Sequence, residues 1–120
     1  MIDHFNLPVS DLVRSQAFYE AVLAPLDYKL FATDGDSIGF GRDTWAFGII
    51  KTSESIPKMH LAFIAENRAG VDKFFGAAIA AGGKNNGPPR IRPAYDANYY
   101  AAFVLDPDGH NIEAVCRKAE

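Results

Sequence analysis

The chain has little cysteine and no long apolar run. Its 120 residues include a single cysteine, Cys116, so no disulfide can form within the chain, and one free thiol is typical of a reducing compartment. No stretch approaches the roughly 20 apolar residues of a transmembrane helix. The N-terminus, Met1 to His4, has neither the basic region nor the apolar run of a signal peptide. The sequence therefore predicts a cytoplasmic protein with no membrane partner.

Positive charge is also scarce. The chain has 12 Lys and Arg against 15 Asp and Glu, a net charge of −3, and no basic cluster. A compact nucleic-acid-binding protein usually presents a basic face, so nucleic acid is not expected as a partner. With 120 residues and 48% hydrophobic side chains, the chain has the size and composition of one folded domain, residues 1–120.

An internal repeat with an offset of 56 residues divides this domain into two modules. His4 corresponds to His60 at that offset, and Asp11 corresponds to Asn67. The Phe-Tyr pair 14 and 15 residues after His4 is matched by a Phe-Phe pair at the same distance after His60. Module 1 covers about residues 1–52, and module 2 covers about residues 57–117.

Each module has the hydrophobic pattern of a strand, a helix and three further strands. In module 1 a strand over 2–9 and a helix over 11–24 precede strands over 28–32, 37–41 and 45–51. In module 2 the strands lie over 58–65, weakly over 84–87, and over 99–105 and 111–116, with a helix between the first two. The Gly- and Pro-rich segment 82–98 is longer than an ordinary connection, and connections of that length are usually functional or mobile. The predicted fold class is α+β, two tandem βαβββ modules.

Alternation along the strands places three metal-ligating side chains away from the helices. His4 and Asn6 alternate with apolar residues of the first strand, His60 opens the equivalent strand of module 2, and Glu113 lies in the last strand. Two histidines and one carboxylate bind divalent Fe, Mn, Ni or Zn and leave coordination positions open. The sequence therefore predicts a His4, His60 and Glu113 metal site.

Two segments resemble the vicinal oxygen chelate superfamily, which includes glyoxalase I, fosfomycin-resistance enzymes, extradiol dioxygenases and bleomycin-resistance proteins. They are His4 to Leu12, followed by Arg14-Ser15 and Phe18-Tyr19, and Asp106-Pro107-Asp108-Gly109-His110-Asn111-Ile112-Glu113. The resemblance implies a curled mixed sheet that encloses a cleft, helices outside it, and often a homodimer. It also implies up to four metal-ligand positions.

Three of these positions fall on the predicted ligands, and the fourth falls on Gly48, which has no side chain to bind a metal. In glyoxalase I a second glutamate at that position is thought to move the substrate proton, so Gly48 argues against ordinary glyoxalase I activity. The sequence thus predicts a metal-dependent enzyme acting on a small oxygenated substrate, of the lyase or isomerase, thiol transferase or dioxygenase type. The alternative is a metal-free small-molecule binding protein of the bleomycin-resistance kind.

Six further residues are candidates for contact with a substrate. A tyrosine hydroxyl could reach a metal-bound substrate, and alternation leaves open which tyrosine faces the cleft. An arginine could bind an anionic substrate. The candidates are Tyr95, Tyr99, Tyr100, Arg90, Arg92 and Asn6. The sequence predicts that His110 is a solvent-exposed turn residue and that Cys116 is a small buried side chain.

Overall fold

A computed structural model describes residues 1–120 and has the predicted element order. Module 1 comprises β1 (Phe5–Val9), α1 (Leu12–Leu23), a 3-10 helix (Ala24–Leu26), β2 (Lys29–Asp34), β3 (Ser37–Gly41) and β4 (Trp45–Lys51). Module 2 comprises β5 (His60–Ile64), α2 (Arg68–Ala80), β6 (Lys84–Ile91), β7 (Tyr100–Leu105) and β8 (Asn111–Cys116). The α+β class and the two βαβββ modules are confirmed.

Both helices begin with the same capping interaction. The side chain of Asp11 accepts a hydrogen bond from the backbone N–H of Arg14 at 3.1 Å, and that of Asn67 accepts one from Gly70 at 2.8 Å. A side-chain oxygen at this position satisfies a backbone donor that has no partner within the helix. The repeat therefore extends to the caps. With 12 and 13 residues, neither helix is long and apolar enough to cross a membrane.

The strands form two separate four-stranded sheets that do not close into one barrel. Their orders are β1-β4-β3-β2 and β5-β8-β7-β6, with β1 and β4 parallel and β5 and β8 parallel. Asn6 is opposite Gly48 in the first sheet, and Ala62 is opposite Glu113 in the second. Because residues 6 and 62 are related by the repeat, Gly48 is the structural equivalent of Glu113.

One apolar core joins the two modules. It contains 21 buried residues from both sheets and both helices. Phe47 of β4 packs against Phe63 of β5, with ring centroids 5.1 Å apart, and against Tyr19 of α1 at the same distance. The side chains of β8 that face this core are Ile112, Ala114 and Cys116, as alternation predicts. The opposite face of each sheet is left without a helix.

A buried carboxylate connects the last turn of module 2 to α1. The hydroxyl of Tyr19 donates to Asp106 Oδ2 at 2.5 Å, and the backbone N–H groups of Asp108 and His110 donate to Asp106 Oδ1 at 2.9 and 2.8 Å. Burial, followed by the neighbouring Asp106 carboxylate, raises the pKa of Tyr19 well above its ordinary value. This cluster fixes the turn that leads into β8.

His110 is fully buried, so the expectation of a solvent-exposed turn histidine was wrong. Its Nδ1 accepts a hydrogen bond from the backbone N–H of Met59 at 3.0 Å. Its Nε2 therefore carries the proton and donates to the carbonyl of Pro8 at 2.9 Å, a tautomer that follows from these partners. The His110 ring is therefore hydrogen-bonded to one backbone group of each module.

About half of the predicted loop over 82–98 is strand, and this strand is longer than the weak one predicted over 84–87. β6 continues to Ile91 and pairs with β7, with irregularities of register on both sides of Gly87. Pro88 and Pro89 fit because β6 is the outer strand of its sheet, where a missing N–H is tolerated. Only residues 92–99 form the connection to β7.

Replacing Tyr19 with Phe leaves one buried oxygen of Asp106 without a donor. We expect the free energy of unfolding to fall by about 1–3 kcal/mol, because an unsatisfied buried polar group keeps its desolvation cost. Urea denaturation measures the change. In the control Tyr28→Phe, the same atom is removed from a half-buried ring that packs on Phe63, and a loss of about 0.5 kcal/mol or less is expected. Equal losses would contradict the role of Asp106.

Candidate functional site

A cavity of about 480 Å³ lies on the helix-free face of the second sheet. Its lining residues come from three strands, from the segment between β6 and β7, and from the residue that follows β8. They are His60, Ala94, Tyr95, Tyr99, Phe103, Glu113 and Arg117. Glu113 is the only carboxylate among them and is only 2% exposed. A buried ionised group needs compensating partners, so its contacts define the chemistry of the cavity.

His60 faces one oxygen of this carboxylate. Its Nε2 lies 3.1 Å from Glu113 Oε1, and its Nδ1 lies 3.1 Å from the carbonyl oxygen of Asn111. The carbonyl can only accept, so Nδ1 carries a proton, and a neutral ring then has an unprotonated Nε2. Two acceptor atoms would face each other at 3.1 Å. Their arrangement calls for a cation between them, either a proton on Nε2 or a metal ion.

The spacing of these atoms suits two ligands of one ion. Nitrogen and oxygen ligands lie about 2.1 Å from Zn²⁺, which puts two of them about 3.0 Å apart at right angles and about 3.4 Å apart in a tetrahedron. The observed 3.1 Å between His60 and Glu113 falls between these values. A histidine ligand commonly donates its other N–H to a backbone carbonyl, as His60 does to Asn111. Both residues therefore fit a divalent metal.

Tyr99 binds the other oxygen of Glu113. Its hydroxyl donates to Glu113 Oε2, and the side chain is 8% exposed. Burial, followed by this hydrogen bond, raises the pKa of Tyr99 to about 12, so the hydroxyl stays protonated at neutral pH. The ring of Tyr95, which is exposed, meets the Tyr99 ring edge to face at 5.1 Å, and the guanidinium of Arg117 lies 4.9 Å from it. Of the candidate tyrosines, Tyr99 contacts Glu113 and Tyr95 lies at the rim.

Phe103 and Arg117 belong to the cavity but were not among the predicted site residues. Phe103 is opposite Glu113 in the β7–β8 pairing, and its ring stacks on that of His60 at 6.1 Å and 25°. Phe103 follows Tyr99 by four residues and therefore faces the same side of the sheet. The signal that could have found it is the β7–β8 register, which sets it opposite Glu113. Arg117 follows the last strand directly, where its charge alone is not distinctive.

The two arginines predicted to bind substrate lie elsewhere. Arg92 donates to the carbonyl oxygens of Pro88 and Ala101 at 2.6 and 3.3 Å, and its guanidinium lies 5.0 Å from the Phe103 ring. It therefore supports the cavity wall. Arg90 is exposed on β6 and does not line the cavity.

Tyr100 lies on the opposite face of β7. Its hydroxyl donates to Asp72 Oδ1 of α2 at 2.7 Å, and it packs against the main core. This hydrogen bond, followed by burial, raises the pKa of Tyr100 to about 12. Tyr100 thus points toward the helix and not into the cavity.

His4 and Asn6 lie on the equivalent face of module 1. The Nδ1 of His4 is 2.8 Å from Asp3 Oδ1, and its ring lies against that of Trp45, with centroids 4.1 Å apart and planes inclined by 38°. Asn6 and Trp45 line a separate cavity of about 280 Å³, where the indole covers Gly39 and the Asn6 amide occupies the space beside Gly48. Within one chain, no group of three His, Cys, Asp or Glu side chains is placed to hold a metal ion. His60 and Glu113 are brought together, and His4 is not brought to them.

The Glyoxalase/Bleomycin resistance protein/Dioxygenase superfamily profile matches residues 1–114. The chain belongs to this superfamily. It is 30% identical over 122 residues to the uncharacterized protein YqjT of Bacillus subtilis (strain 168), which covers 93% of this chain and 95% of YqjT.

Two solved structures of glyoxalase superfamily proteins are similar in fold. A glyoxalase/bleomycin resistance protein from Albidiferax ferrireducens T118 has a TM-score of 0.85 at 29% identity, covering 98% of this chain and 99% of that one. A glyoxalase/bleomycin resistance protein/dioxygenase family enzyme from Burkholderia phytofirmans PsJN has a TM-score of 0.76 at 22% identity, covering 97% and 98%. The superfamily contains enzymes and resistance proteins, so an activity has to be argued from the site.

The raised pKa of Tyr100 predicts how stability depends on pH. The folded chain holds this proton more tightly than the unfolded chain, where the tyrosine pKa is about 10. The resulting stabilisation is complete below pH about 10 and is lost as the pH rises toward about 12. In Tyr100→Phe, the free energy of unfolding, measured by urea denaturation at pH 9 to 12, should fall less steeply than in the wild type. Parallel curves would contradict this assignment.

Proposed function

We propose that this protein is a metal-dependent enzyme in which His60 and Glu113 of one chain and His4 of a second copy bind one divalent ion. The observation that carries the proposal is the 3.1 Å approach of His60 Nε2 to Glu113 Oε1. The Nδ1 of His60 is already engaged by a backbone carbonyl, which leaves Nε2 for the metal. Fe, Mn, Ni and Zn all suit two imidazoles and one carboxylate.

The proposal includes a second copy because, within one chain, His4 lies apart from His60 and Glu113. His4 lies on the helix-free face of module 1, half exposed, with Nδ1 directed to Asp3 and Nε2 without a partner in the chain. His4 thus resembles His60: its Nδ1 has a hydrogen-bond partner in the chain, and its Nε2 is available to bind a metal. A homodimer that places module 1 of one chain over module 2 of the other would complete the set of His4, His60 and Glu113.

The remaining residues suggest what the site would do. A bound ion would act as a Lewis acid and stabilise negative charge that develops on a substrate oxygen. Phe103 and the Tyr99 ring would exclude water around that oxygen, and Arg117 would attract an anionic substrate. Gly48 leaves the site without a second carboxylate to move a substrate proton. We therefore favour a lyase or isomerase, thiol transferase or dioxygenase reaction other than that of ordinary glyoxalase I.

A metal-free binding protein is the second candidate. The observation in its favour is that both oxygens of Glu113 can be hydrogen-bonded without a metal ion. Tyr99 donates to one oxygen, and a protonated His60 would donate to the other. Tyr95, Tyr99 and Phe103 would then form the walls for a small organic ligand. Such a protein would be stabilised by its ligand and would not respond to metal ions.

Metal content separates the two candidates. In protein purified without chelators or affinity-tag metals, elemental analysis should find about one Fe, Mn, Ni or Zn per chain, because the three ligands form one site. His60→Ala and Glu113→Gln should retain almost none. Glu66→Gln is the matched control, since Glu66 is exposed and pairs with Lys118, and it should retain the wild-type content. A Glu113→Gln variant with full metal content would exclude this site.

A mixing experiment tests whether two chains share the site. His4→Ala and Glu113→Gln should each bind little metal alone, because each lacks one ligand in every site. Unfolded together and refolded as a mixture, they form some dimers in which one site has His4 from one chain and His60 with Glu113 from the other. We expect metal binding to reappear in the mixture, at roughly one ion per mixed dimer. If the ligands met within one chain, mixing would restore none.

A further inference from the structure

We infer that Tyr99 is a positioning residue that limits Glu113 to one metal-binding oxygen. The inference rests on the proposed metal site and goes beyond it, because it explains how a flexible carboxylate is kept in one coordination mode. Glu113 Oε2 accepts the hydroxyl of Tyr99, and Oε1 faces His60 Nε2. Each oxygen therefore has its own partner. Turning both oxygens toward the same ion would pull Oε2 away from the Tyr99 hydroxyl, so this hydrogen bond favours coordination through Oε1 alone.

The Tyr99 ring is itself held in place. The backbone carbonyl of Tyr99 accepts a hydrogen bond from the backbone N–H of Arg92 at 2.7 Å, and the backbone N–H of Tyr99 donates to the carbonyl of Asp96 at 3.3 Å. The ring contacts Tyr95 edge to face and Arg117 through a cation–π interaction. A hydroxyl on such a ring has little freedom, so the position of Glu113 Oε2 is fixed by the segment between β6 and β7.

The comparison of the two modules indicates that this pair is not needed for the fold. Gly39 pairs with Gly48 in module 1 as Phe103 pairs with Glu113 in module 2. Counted back four residues along the strand, Tyr99 corresponds to Gly35, which lies in a turn. Module 1 thus lacks both the carboxylate and the phenol, yet it forms the same four-stranded sheet. The two groups are present together only in the module that carries two of the three proposed ligands, His60 and Glu113.

Removing the hydroxyl should change how the metal is bound. In Tyr99→Phe, Glu113 Oε2 is free either to bind the metal as a second oxygen or to turn away together with Oε1. Loss of a residue that orients a ligand typically weakens metal affinity by about 10- to 100-fold. A second bound oxygen raises the coordination number, which weakens the visible absorption of Co²⁺ in a low-coordinate site.

The experiment is a Co²⁺ titration of the metal-free protein, followed by visible absorption, in the wild type, Tyr99→Phe and Tyr100→Phe. Tyr100→Phe is a matched control, because it removes a hydroxyl bound to a carboxylate, Asp72, from the neighbouring residue on the other face of the strand. We expect Tyr99→Phe to bind Co²⁺ about 10- to 100-fold more weakly with an altered spectrum. Tyr100→Phe should match the wild type in both affinity and spectrum.

The outcomes distinguish this inference from the proposed function. If the wild type binds no Co²⁺, the metal site fails and the inference with it. If the wild type binds Co²⁺ and Tyr99→Phe binds it with the same affinity and spectrum, only the positioning role of Tyr99 is overturned. Equal weakening in both variants would also overturn it, because a general loss of stability would explain the result. Melting of the metal-free proteins verifies that both variants are folded.

Discussion

The parallel pairing of β5 with β8 sets Ala62 opposite Glu113 and brings the His60 ring to the carbonyl of Asn111. A shift of this register by one residue would turn Glu113 toward the apolar core and Ile112 toward the cavity. Burial of Ile112, Ala114 and their partners therefore holds the carboxylate in place. The packing of one face of the sheet determines the chemistry of the other face.

Hydrophobic periodicity was sufficient for the parts of the fold that depend on local contacts. It predicted both helices and the full extent of β3, β4 and β8. It failed where distant partners decide the outcome. It predicted only the first half of β6, which pairing with β7 extends past Pro88 and Pro89, and it missed the burial of His110, whose ring donates a hydrogen bond to the carbonyl of Pro8, 102 residues away in sequence.

The candidate site could be predicted only in part, for the same reason. Alternation gave the faces of His60 and Glu113, and the structure brings these two together. It could not choose between Tyr99 and Tyr100, because that choice depends on how β7 pairs with β8. Likewise, alternation gives the face on which His4 lies, but it carries no information on which sheet that face meets.

The packing of Trp45 gives the protein an internal optical probe. It is the only tryptophan in the chain, and its indole lies against His4 and over Gly39, on the module whose equivalent of Glu113 is Gly48. Tryptophan emission is quenched by a protonated imidazole and shifts when water is excluded from the ring. Because His4 is the ligand that the proposed dimer brings to Glu113, the fluorescence of the unmodified protein reports on the module 1 side of that shared site.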